Sequence, residues 1–381
     1  MEDRAASPSF IPLDLPLEGP PVLACGADGK AAPCAAIGRR ALLAAPVGNL
    51  AEYETGARYR AAVEQALARI GVQPSVVAHD LHPDYESTRF ARAFPAERRI
   101  AVQHHHAHVA ACMAEHGLTG PVIGVALDGS GYGPDGTVWG GEFLVADYAG
   151  FRRAGHFKPY RLPGGEGAIR HPPRMALSWL AAERGADAAP LSARWLPSIS
   201  GEQRSMLLGL VASGAHSPWT SSAGRLFDAA SALLGLCDRI EREGEAAIRL
   251  QAAADPRETG ALPFELQDAV LSFGPALHAL LEQRAAGVGA PILATRFHRA
   301  VAAGAAALCR RLRERENLDR VVLAGGVFQN ELLRAGLIEQ LSTSGFQVYW
   351  PQRVSPGDAS VALGQAAIAV AHSNRTLNTE H

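Results

Sequence analysis

The sequence has 381 residues, of which 48% are hydrophobic and 19% charged, and its formal net charge is −2. This length suits one large domain or two lobes, and the composition is that of a folded chain rather than a disordered one. The balanced charge, without any block of like charges, argues against a nucleic-acid or membrane-surface partner. Five scattered cysteines argue against a disulfide framework and against a thiolate zinc site. We expect a cytoplasmic protein, because no apolar run reaches the ~18 residues of a membrane span and the N-terminus lacks the features of a secretion signal.

The predicted elements of the first part of the chain follow an α/β order. Residues 1–20 are rich in proline and are expected to form a tail, and three short apolar runs between 21 and 50 predict a meander of three strands. Apolar residues at helical spacing predict a helix over 57–70. The first lobe, 21–118, is completed by a strand in "PSVVAHDLHP", a helix over about 84–94, a strand over 99–102 and a helix over 105–116.

The second part, 119–381, repeats this order with an insertion. A second meander begins in "PVIGVALDGSGYG" and is followed by a mostly helical stretch over about 168–315. The end of the chain alternates strand, helix, strand and helix, and the last helix is expected to pack back on the first lobe. Two meanders that are each followed by helices predict a duplicated, two-lobed α/β fold with a helical insertion in the second lobe.

Four histidines lie within five residues in the stretch "VQHHHAHVAACMAEHGL". His104 and His108 are four residues apart, which places both imidazoles on one face of a helix at a spacing that can close on one metal ion. His105 and His106 point to other sides of the helix. Histidines on a helix surface without a metal remain the alternative, although the apolar residues that follow indicate a buried helix, where imidazoles need partners.

Two aspartates are candidates to complete such a metal site. Asp128 follows an apolar strand in "ALDGSGYG", and Asp358 lies in "SPGDAS" before the last helix. Carboxylates that gather at strand ends and helix starts are frequent ligands. The simpler roles, a turn residue for Asp128 and a helix N-cap for Asp358, stay open.

Three Gly-rich turns, "GADGK", "DGSGYG" and "AGGVFQN", each follow an apolar strand. Such turns expose backbone N–H groups that hold phosphates, and Lys30 adds a positive charge to the first turn. None of them matches a P-loop or a dinucleotide-binding fingerprint. A further stretch, "SSAGRLFDAASALLGL", places Asp228 in the first turns of a helix, where it can accept ribose hydroxyls or simply face solvent.

Taken together, these motifs resemble the HypF-type carbamoyltransferases of NiFe-hydrogenase maturation. The chain is also similar to the related O-carbamoyltransferase TobZ and, more distantly, to the tRNA threonylcarbamoyl transferases, which share the H-x-x-x-H motif and an actin/sugar-kinase-like ATPase fold. The resemblance extends in order over roughly residues 21–372 and includes "AHDLHPDYESTRFA", "VQHHHAHVAACMAEHG", "ALDGSGYGPDGTVWGGEF", "LPGGEGAIRHPPRMA", "SSAGRLFDAASALLG", "REGEAA", "LAGGVFQNELL" and "SPGDASVALGQA".

The resemblance implies a metal-dependent and ATP-dependent carbamoyltransferase with the two-lobed actin/sugar-kinase-like fold. It implies one divalent ion, iron or zinc, held by His104, His108, Asp128 and Asp358, with His104, His108 and Lys30 as catalytic residues. ATP or carbamoyl-adenylate is expected among the Gly-rich turns. The residues expected to contact this nucleotide are Gly129, Gly131, Gly224, Asp228, Gly325, Gly326 and Asn330.

The same resemblance implies partners. HypF-type enzymes use carbamoyl phosphate and ATP to carbamoylate the C-terminal cysteine of HypE, from which the cyanide ligands of the hydrogenase derive. The family's acylphosphatase-like, zinc-finger and YrdC-like parts are not found in this sequence. We therefore expect a self-sufficient short enzyme, a partner of a separate YrdC-like protein, or a fragment. A tRNA threonylcarbamoyl transferase-like enzyme and a non-catalytic, nucleotide-binding assembly factor that docks on HypE remain the alternative functions.

Overall fold

A computed structural model describes residues 9–379, so the first eight residues of the predicted tail lie outside the described part. The described chain forms a four-stranded sheet and a nine-stranded sheet with helices packed on both. The strands of the first sheet are β1 (Phe10–Ala24), β2 (Cys34–Ala44), β3 (Val76–Asp80) and β4 (Arg99–Val102). The helices of this part are α1 (Thr55–Ile70), α2 (Glu86–Ala91) and α3 (His104–Glu115).

The second sheet and its helices take up the rest of the chain. Its strands are β5 (Val122–Tyr132), β6 (Val138–Asp147), β7 (Gly150–Phe157), β8 (Tyr160–Arg161), β9 (Trp219–Thr220), β10 (Glu265–Gln267), β11 (Val270–Ser272), β12 (Arg320–Ala324) and β13 (Gln347–Tyr349). Its helices are α4 (Glu166–Arg170), α5 (Pro172–Arg184), α6 (Ala188–Trp195), α7 (Gly201–Ser213), α8 (Ala223–Leu233), α9 (Glu245–Ala253), α10 (Gly274–Ala285), α11 (Ala290–Glu316), α12 (Glu331–Thr343) and α13 (Val361–Thr379). Within residues 9–379, no helix combines the length and the apolar character that crossing a membrane requires.

The strand order of the first sheet, β2-β1-β3-β4, recurs in the second sheet as β6-β5-β12-β13. In the first sheet, β2 pairs antiparallel with β1, and β3 and β4 follow as parallel strands joined by helices. In the second sheet, the antiparallel meander β7-β6-β5 is likewise followed by the parallel strands β12 and β13. The helical insertion lies between β7 and β12. The prediction of a duplicated α/β fold of the actin/sugar-kinase-like class is therefore confirmed.

The prediction of a tail is wrong for residues 10–20, which form most of strand β1. Leu13 and Leu15 are buried while Asp14 between them is exposed, the alternation of a half-buried strand. This part of β1 lies along β2, whereas β3 pairs with residues 22–24. Its prolines are tolerated because a strand edge that pairs with no neighbour needs no N–H donor. The first meander accordingly has two strands, β1 and β2, instead of the three predicted.

Strand β5 continues through the stretch that the sequence predicts to be a Gly-rich turn. The pairing of β5 with β6 shifts register between Leu127 and Gly131, and the hairpin turn follows only at residues 133–137. A register shift of this kind bends a strand and changes the direction of a side chain. Asp128 lies within this register shift, so it belongs to an irregular part of strand β5 and the prediction of a turn at this residue is wrong.

Helices α3 and α13 lie between the two sheets. Helix α3 contacts β1 as well as β5, β6 and β12, and α13 packs on α3 and on the strands of the first sheet. Gly364 of α13 lies so close to the backbone of Ala107 that no Cβ would fit there, which brings the two helices together. Every residue from His104 to Ala114 is buried as a result. The lobe boundary at residue 118 stays a prediction.

Candidate metal centre

Four side chains from three parts of the fold meet at the start of α3. His104 and His108 lie on consecutive turns of α3, Asp128 lies at the register shift of β5, and Asp358 begins the 3₁₀ turn before α13. Their donor atoms all lie within 4.8 Å of one another. We call these four residues the histidine–aspartate cluster. Because α13 begins at Val361, Asp358 is not at its N-cap position, which removes the capping alternative.

The distances within the cluster fit a single metal ion. His104 Nε2 lies 3.2 Å from His108 Nε2, 3.3 Å from Asp128 Oδ2 and 3.5 Å from Asp358 Oδ1. His108 Nε2 lies 3.5 Å from the same two carboxylate oxygens. Four ligands placed tetrahedrally at about 2.0–2.1 Å from zinc would be about 3.3–3.4 Å apart. A set of imidazole and carboxylate donors suits zinc and iron alike.

The electrostatics of the cluster favour a divalent cation. Burial by itself would lower the pKa of His104, but the Asp80 charge and hydrogen bonds to Asp128 and Asp358 raise that pKa well above its ordinary value. Burial would raise the pKa of Asp128, yet hydrogen bonds from His104 and His108 lower it well below its ordinary value. The cluster thus balances imidazolium charge against carboxylates, and one divalent ion can replace this positive charge as protons are released.

Two contacts outside the cluster hold its members. His104 Nδ1 lies 2.7 Å from Oδ2 of Asp80, which ends strand β3 and is fully buried. The backbone N–H of Gly326 donates to Asp128 Oδ1 at 2.8 Å. Sequence reasoning did not select Asp80, although it ends the buried strand "VVAHD" in the same way that Asp128 was thought to end "VALD". The rule applied to Asp128 would therefore have found Asp80 as well.

The other two histidines of the motif lie outside the cluster, as their spacing predicts. His105 Nδ1 lies 3.0 Å from the side-chain Nε2 of Gln103, and His106 Nε2 lies 2.6 Å from the carbonyl oxygen of Asp147. Burial lowers the pKa of His106 to about 4, so this side chain is neutral. Gly131 is close to His105 and His104, and a Cβ on it would collide with the His105 ring. The structure thus places Gly131 against the rings of His104 and His105, and its predicted contact with the nucleotide stays a prediction.

The remaining predicted glycines pack around the backbone of Asp128. A Cβ built on Gly224 would lie 2.9 Å from the Cα of Gly129, so α8 begins in direct contact with β5. Gly325 has a φ of 103° and lies against the carbonyl group of Leu127, where only glycine fits. Gly129 itself has open space where a Cβ would stand. Together with Gly326, whose N–H donates to Asp128 Oδ1, these three glycines lie beside the cluster at the meeting point of β5, β12 and α8.

The polar side chains predicted to contact the nucleotide already have protein partners. Asp228 is buried and accepts from Arg225 Nε at 2.6 Å, and burial raises its pKa even though Arg225 opposes this effect. Asn330 Oδ1 accepts the N–H of Leu333 at the start of α12, and its Nδ2 lies 2.9 Å from His298 Nε2. These contacts stabilise the starts of α8 and α12.

Lys30 forms an ion pair between the two parts of the fold. Its Nζ lies 3.3 Å from Oε1 of Glu243, a residue 213 positions further along the chain. The first Gly-rich turn also comes close to the cluster, because a Cβ on Gly29 would lie 3.1 Å from Asp358 Oδ2. The structure thus places the turn that carries Lys30 beside the histidine–aspartate cluster.

Comparison with known proteins decides the family. The family model "Carbamoyltransferase, Kae1-like Domain, second subdomain" matches residues 124–365, and the model "HypF Kae1-like domain" matches residues 18–115. A carbamoyltransferase HypF homolog of Cupriavidus necator is 40% identical over 363 residues, which are 92% of this chain and 91% of that protein. This chain belongs to the HypF carbamoyltransferase family.

Other HypF proteins are longer. The carbamoyltransferase HypF of Rhizobium leguminosarum bv. viciae is 38% identical over 359 residues, which are 94% of this chain but 46% of that protein. The crystal structure of full-length HypF in the phosphate- and nucleotide-bound form superimposes with a TM-score of 0.90 at 35% identity, covering 94% of this chain and 57% of that one. This chain therefore spans about half the length of these HypF proteins and nearly the whole of the Cupriavidus homolog.

Proposed function

We propose that this chain transfers a carbamoyl group from carbamoyl-adenylate, made from carbamoyl phosphate and ATP, to the C-terminal cysteine of HypE in hydrogenase maturation. The observation that carries the proposal is the convergence of His104, His108, Asp128 and Asp358 in a chain of the HypF carbamoyltransferase family. We further propose iron or zinc as the bound ion. The cytoplasm is the proposed compartment, in keeping with five cysteines that are all free and buried.

The proposed reaction joins the sulfur of the acceptor to the carbamoyl carbon. The bond between that carbon and the adenylate phosphate oxygen breaks, AMP leaves with the bonding electrons, and the thiol proton is released. A divalent ion in the cluster would polarise the carbamoyl oxygen or lower the pKa of the thiol. The chain's own contribution is to place donors: His104 and His108 are fixed by a buried helix, and Asp128 is held by the Gly326 N–H.

The nucleotide is proposed to lie on the open side of Gly129, next to Gly224, Gly325 and Gly326. The crystal structure of a phosphate- and nucleotide-bound HypF with the same fold supports nucleotide binding in this family. Because Asp228 and Asn330 are engaged by Arg225 and His298, we propose that they act through the backbone they stabilise rather than by direct contact. The Lys30 side chain is 35% exposed in the turn whose Gly29 approaches Asp358, and we propose that its ammonium binds a phosphate or carbamoyl oxygen.

Incubation of the metal-loaded chain with carbamoyl phosphate, ATP and HypE tests the proposal. We expect the intact mass of HypE to increase by one carbamoyl group, and expect no increase for HypE whose C-terminal cysteine is replaced by alanine. The reaction is run with and without a separate YrdC-like protein, because this chain spans 46% of the Rhizobium enzyme. Activity that needs the second protein would assign adenylate formation to it. A metal-loaded chain that leaves HypE unmodified in both reactions contradicts the proposal and favours a non-catalytic assembly factor.

A further inference from the structure

A fully buried carboxylate stands behind the histidine–aspartate cluster. Asp80 ends β3, and its Oδ1 accepts the backbone N–H of His82 at 2.8 Å. Its Oδ2 lies 2.7 Å from Nδ1 of His104. A carboxylate accepts hydrogen bonds, so a His104 proton lies on Nδ1, and release of the Nε2 proton to a binding metal ion leaves the Nε2 lone pair facing His108 and the two other aspartates.

We propose that Asp80 is a positioning residue that holds His104 in the tautomer and ring orientation needed to bind the metal, and thereby sets the metal affinity of this chain. The inference rests on the metal site proposed above and does not depend on the transfer reaction. Carboxylates that accept from the outer nitrogen of a ligand imidazole fix its orientation and increase its basicity. Asp80 meets this description without itself approaching the shared centre of the cluster.

The two histidines of the cluster differ in this respect. His108 Nδ1 is buried and has no hydrogen-bond partner within the described residues. The tautomer of His108 is therefore not fixed by a protein acceptor, whereas that of His104 is fixed by Asp80. Because no second carboxylate duplicates its role among the residues described, the loss of the Asp80 charge should directly affect metal binding.

The substitution Asp80→Asn separates tautomer control from structure. The amide is nearly isosteric, and its oxygen can still accept the His82 N–H. Its NH₂ group then faces His104 Nδ1, which must become an acceptor, so the ring proton moves to Nε2, the nitrogen that faces the metal. The opposite amide orientation keeps the His104 tautomer but sets the NH₂ group against the His82 N–H. The first orientation therefore keeps both contacts with the wrong His104 tautomer, and the second keeps the tautomer but loses the bond from the His82 N–H.

Asp147→Asn is the matched control. Asp147 ends strand β6, and its Oδ1 accepts the backbone N–H groups of Ala149 and Gly150 at 2.8 and 3.1 Å. It therefore resembles Asp80 in ending a strand and holding the following turn, but its side chain contacts none of the four cluster residues. An asparagine there retains the acceptor oxygen, so this variant measures the cost of the Asp-to-Asn change alone.

The experiment measures the Zn²⁺ dissociation constant by competition with a chelator, and the thermal unfolding midpoint of the metal-free proteins. We expect Asp80→Asn to weaken Zn²⁺ binding by about 10–100-fold and Asp147→Asn to leave it unchanged. Nitrogen-15 spectra of histidine-labelled parent protein with Zn²⁺ provide a second readout that needs no variant. His104 should appear protonated at Nδ1 and metal-bound at Nε2.

Equal Zn²⁺ affinity of Asp80→Asn and the parent would overturn the inference, and so would a His104 that binds metal through Nδ1. A parent protein that binds neither Zn²⁺ nor Fe²⁺ would remove the metal site and the inference with it. Carbamoylation of HypE is not part of this measurement, so a chain that binds zinc tightly but transfers nothing would contradict only the proposed function. If Asp80→Asn does not fold, the nitrogen-15 spectra of the parent decide.

Discussion

The metal-ligand candidates and the polar side chains predicted to contact the nucleotide behave in opposite ways. In the histidine–aspartate cluster, the Nε2 atoms of His104 and His108 lie 3.2 Å apart and face two carboxylates. Around the glycines, Asp228 is paired with Arg225 and Asn330 with His298. The four cluster residues therefore direct their metal-binding atoms toward a common centre, whereas Asp228 and Asn330 direct their polar atoms toward other protein side chains.

This difference separates two ways in which a fold prepares a site. Carboxylates gathered in a buried site need positive charge to balance them, and either protonated imidazoles or a divalent ion can supply that charge. Side chains whose polar atoms already have protein partners leave only backbone groups for a ligand. Gly129 keeps its backbone open on one side, and Gly224 allows the start of α8 to pack closely against it. Substitutions in the cluster should thus affect metal binding, and substitutions of Asp228, Asn330 and their partners should affect the stability of the fold.

The largest effect is expected for His104→Ala. Removing one of four donors, the one supported by Asp80, should weaken Zn²⁺ binding by more than about 100-fold, beyond the effect typical of a residue behind a ligand. Carbamoyl transfer should be lost with it. His116→Ala is the control, since His116 follows the end of the same helix and contacts the Trp350 carbonyl oxygen instead. Transfer by a metal-free His104→Ala protein would contradict the catalytic role of the cluster.

Each member of the cluster carries a local sequence signal that makes it a candidate metal ligand. The i, i+4 spacing of His104 and His108 survives any error in the helix ends, and Asp128 and Asp358 each follow or precede a predicted element. Their convergence is long-range, since 250 positions or more separate the α3 histidines from Asp358. No spacing rule predicts a contact between residues so far apart in the sequence, and the prediction that the four residues share one metal ion came from the family resemblance. The family and the fold class are confirmed, and the roles of the residues stay predictions.

The errors arose where packing outweighs composition. The prolines of residues 10–20 suggested a tail, but burial of Leu13 and Leu15 and pairing with β2 stabilise a strand there. The contact of Asp228 with a nucleotide stays a prediction, because an aspartate near a helix start looks the same in sequence whether it faces a ligand or an arginine. The partner of Asp228 is three residues away, yet only the structure shows that this contact is buried and direct.

The next largest effect is expected for Asp228→Asn. The Arg225–Asp228 pair is 2.6 Å long with side chains that are 9% and 2% exposed, and loss of one charge would leave a buried guanidinium unpaired. Breaking a buried pair costs about 3–5 kcal/mol, which denaturant unfolding would detect. Glu86→Gln, at an exposed pair with Arg89, is the control and should cost less than about 1 kcal/mol. Unchanged stability with lost ATP binding would instead support direct contact between Asp228 and the ribose.

Acidification should destabilise the fold around Asn330, because Asn330 contacts the buried imidazole of His298. Its Nδ1 lies 2.7 Å from the Ala294 carbonyl oxygen and its Nε2 faces the Asn330 amide, so the buried ring is neutral and burial lowers its pKa to about 4. The unfolded chain binds this proton near pH 6.5, so the stability is complete above that pH and is lost as the pH falls toward 4. The full effect is about 3 kcal/mol by linkage. Unfolding measured from pH 7.5 to 4.5 should show a weaker dependence in His298→Gln than in the parent. Equal slopes would contradict this assignment.

A smaller effect is expected for Gly224→Ala. The new Cβ would lie 2.9 Å from the Gly129 Cα, and backbone on both sides must move to relieve the contact. Overpacking of this kind costs about 1–3 kcal/mol. Gly209→Ala in α7 is the control, because nothing lies within 4 Å of a Cβ there and alanine should stabilise the helix by about 0.5–1 kcal/mol. Loss of ATP binding in Gly224→Ala at unchanged Zn²⁺ affinity would place the nucleotide at this contact, and equal stability of the two variants would argue against close packing.

The smallest effect on stability is expected for Lys30→Ala. The Lys30–Glu243 pair is 3.3 Å long, and its side chains are 35% and 68% exposed, so its loss should change the free energy of unfolding by less than about 1 kcal/mol. If the ammonium contacts the substrate, however, carbamoyl transfer should fall by about 10²–10³-fold with Zn²⁺ affinity unchanged. Glu243→Gln removes the same ion pair but keeps the ammonium. An equal loss of transfer in both variants would show that the ion pair itself is needed. A loss confined to Lys30→Ala would show that the lysine contacts the reacting carbamoyl or phosphate group. Lys30 would then differ from Asp228 and Asn330, whose polar atoms are held by protein partners.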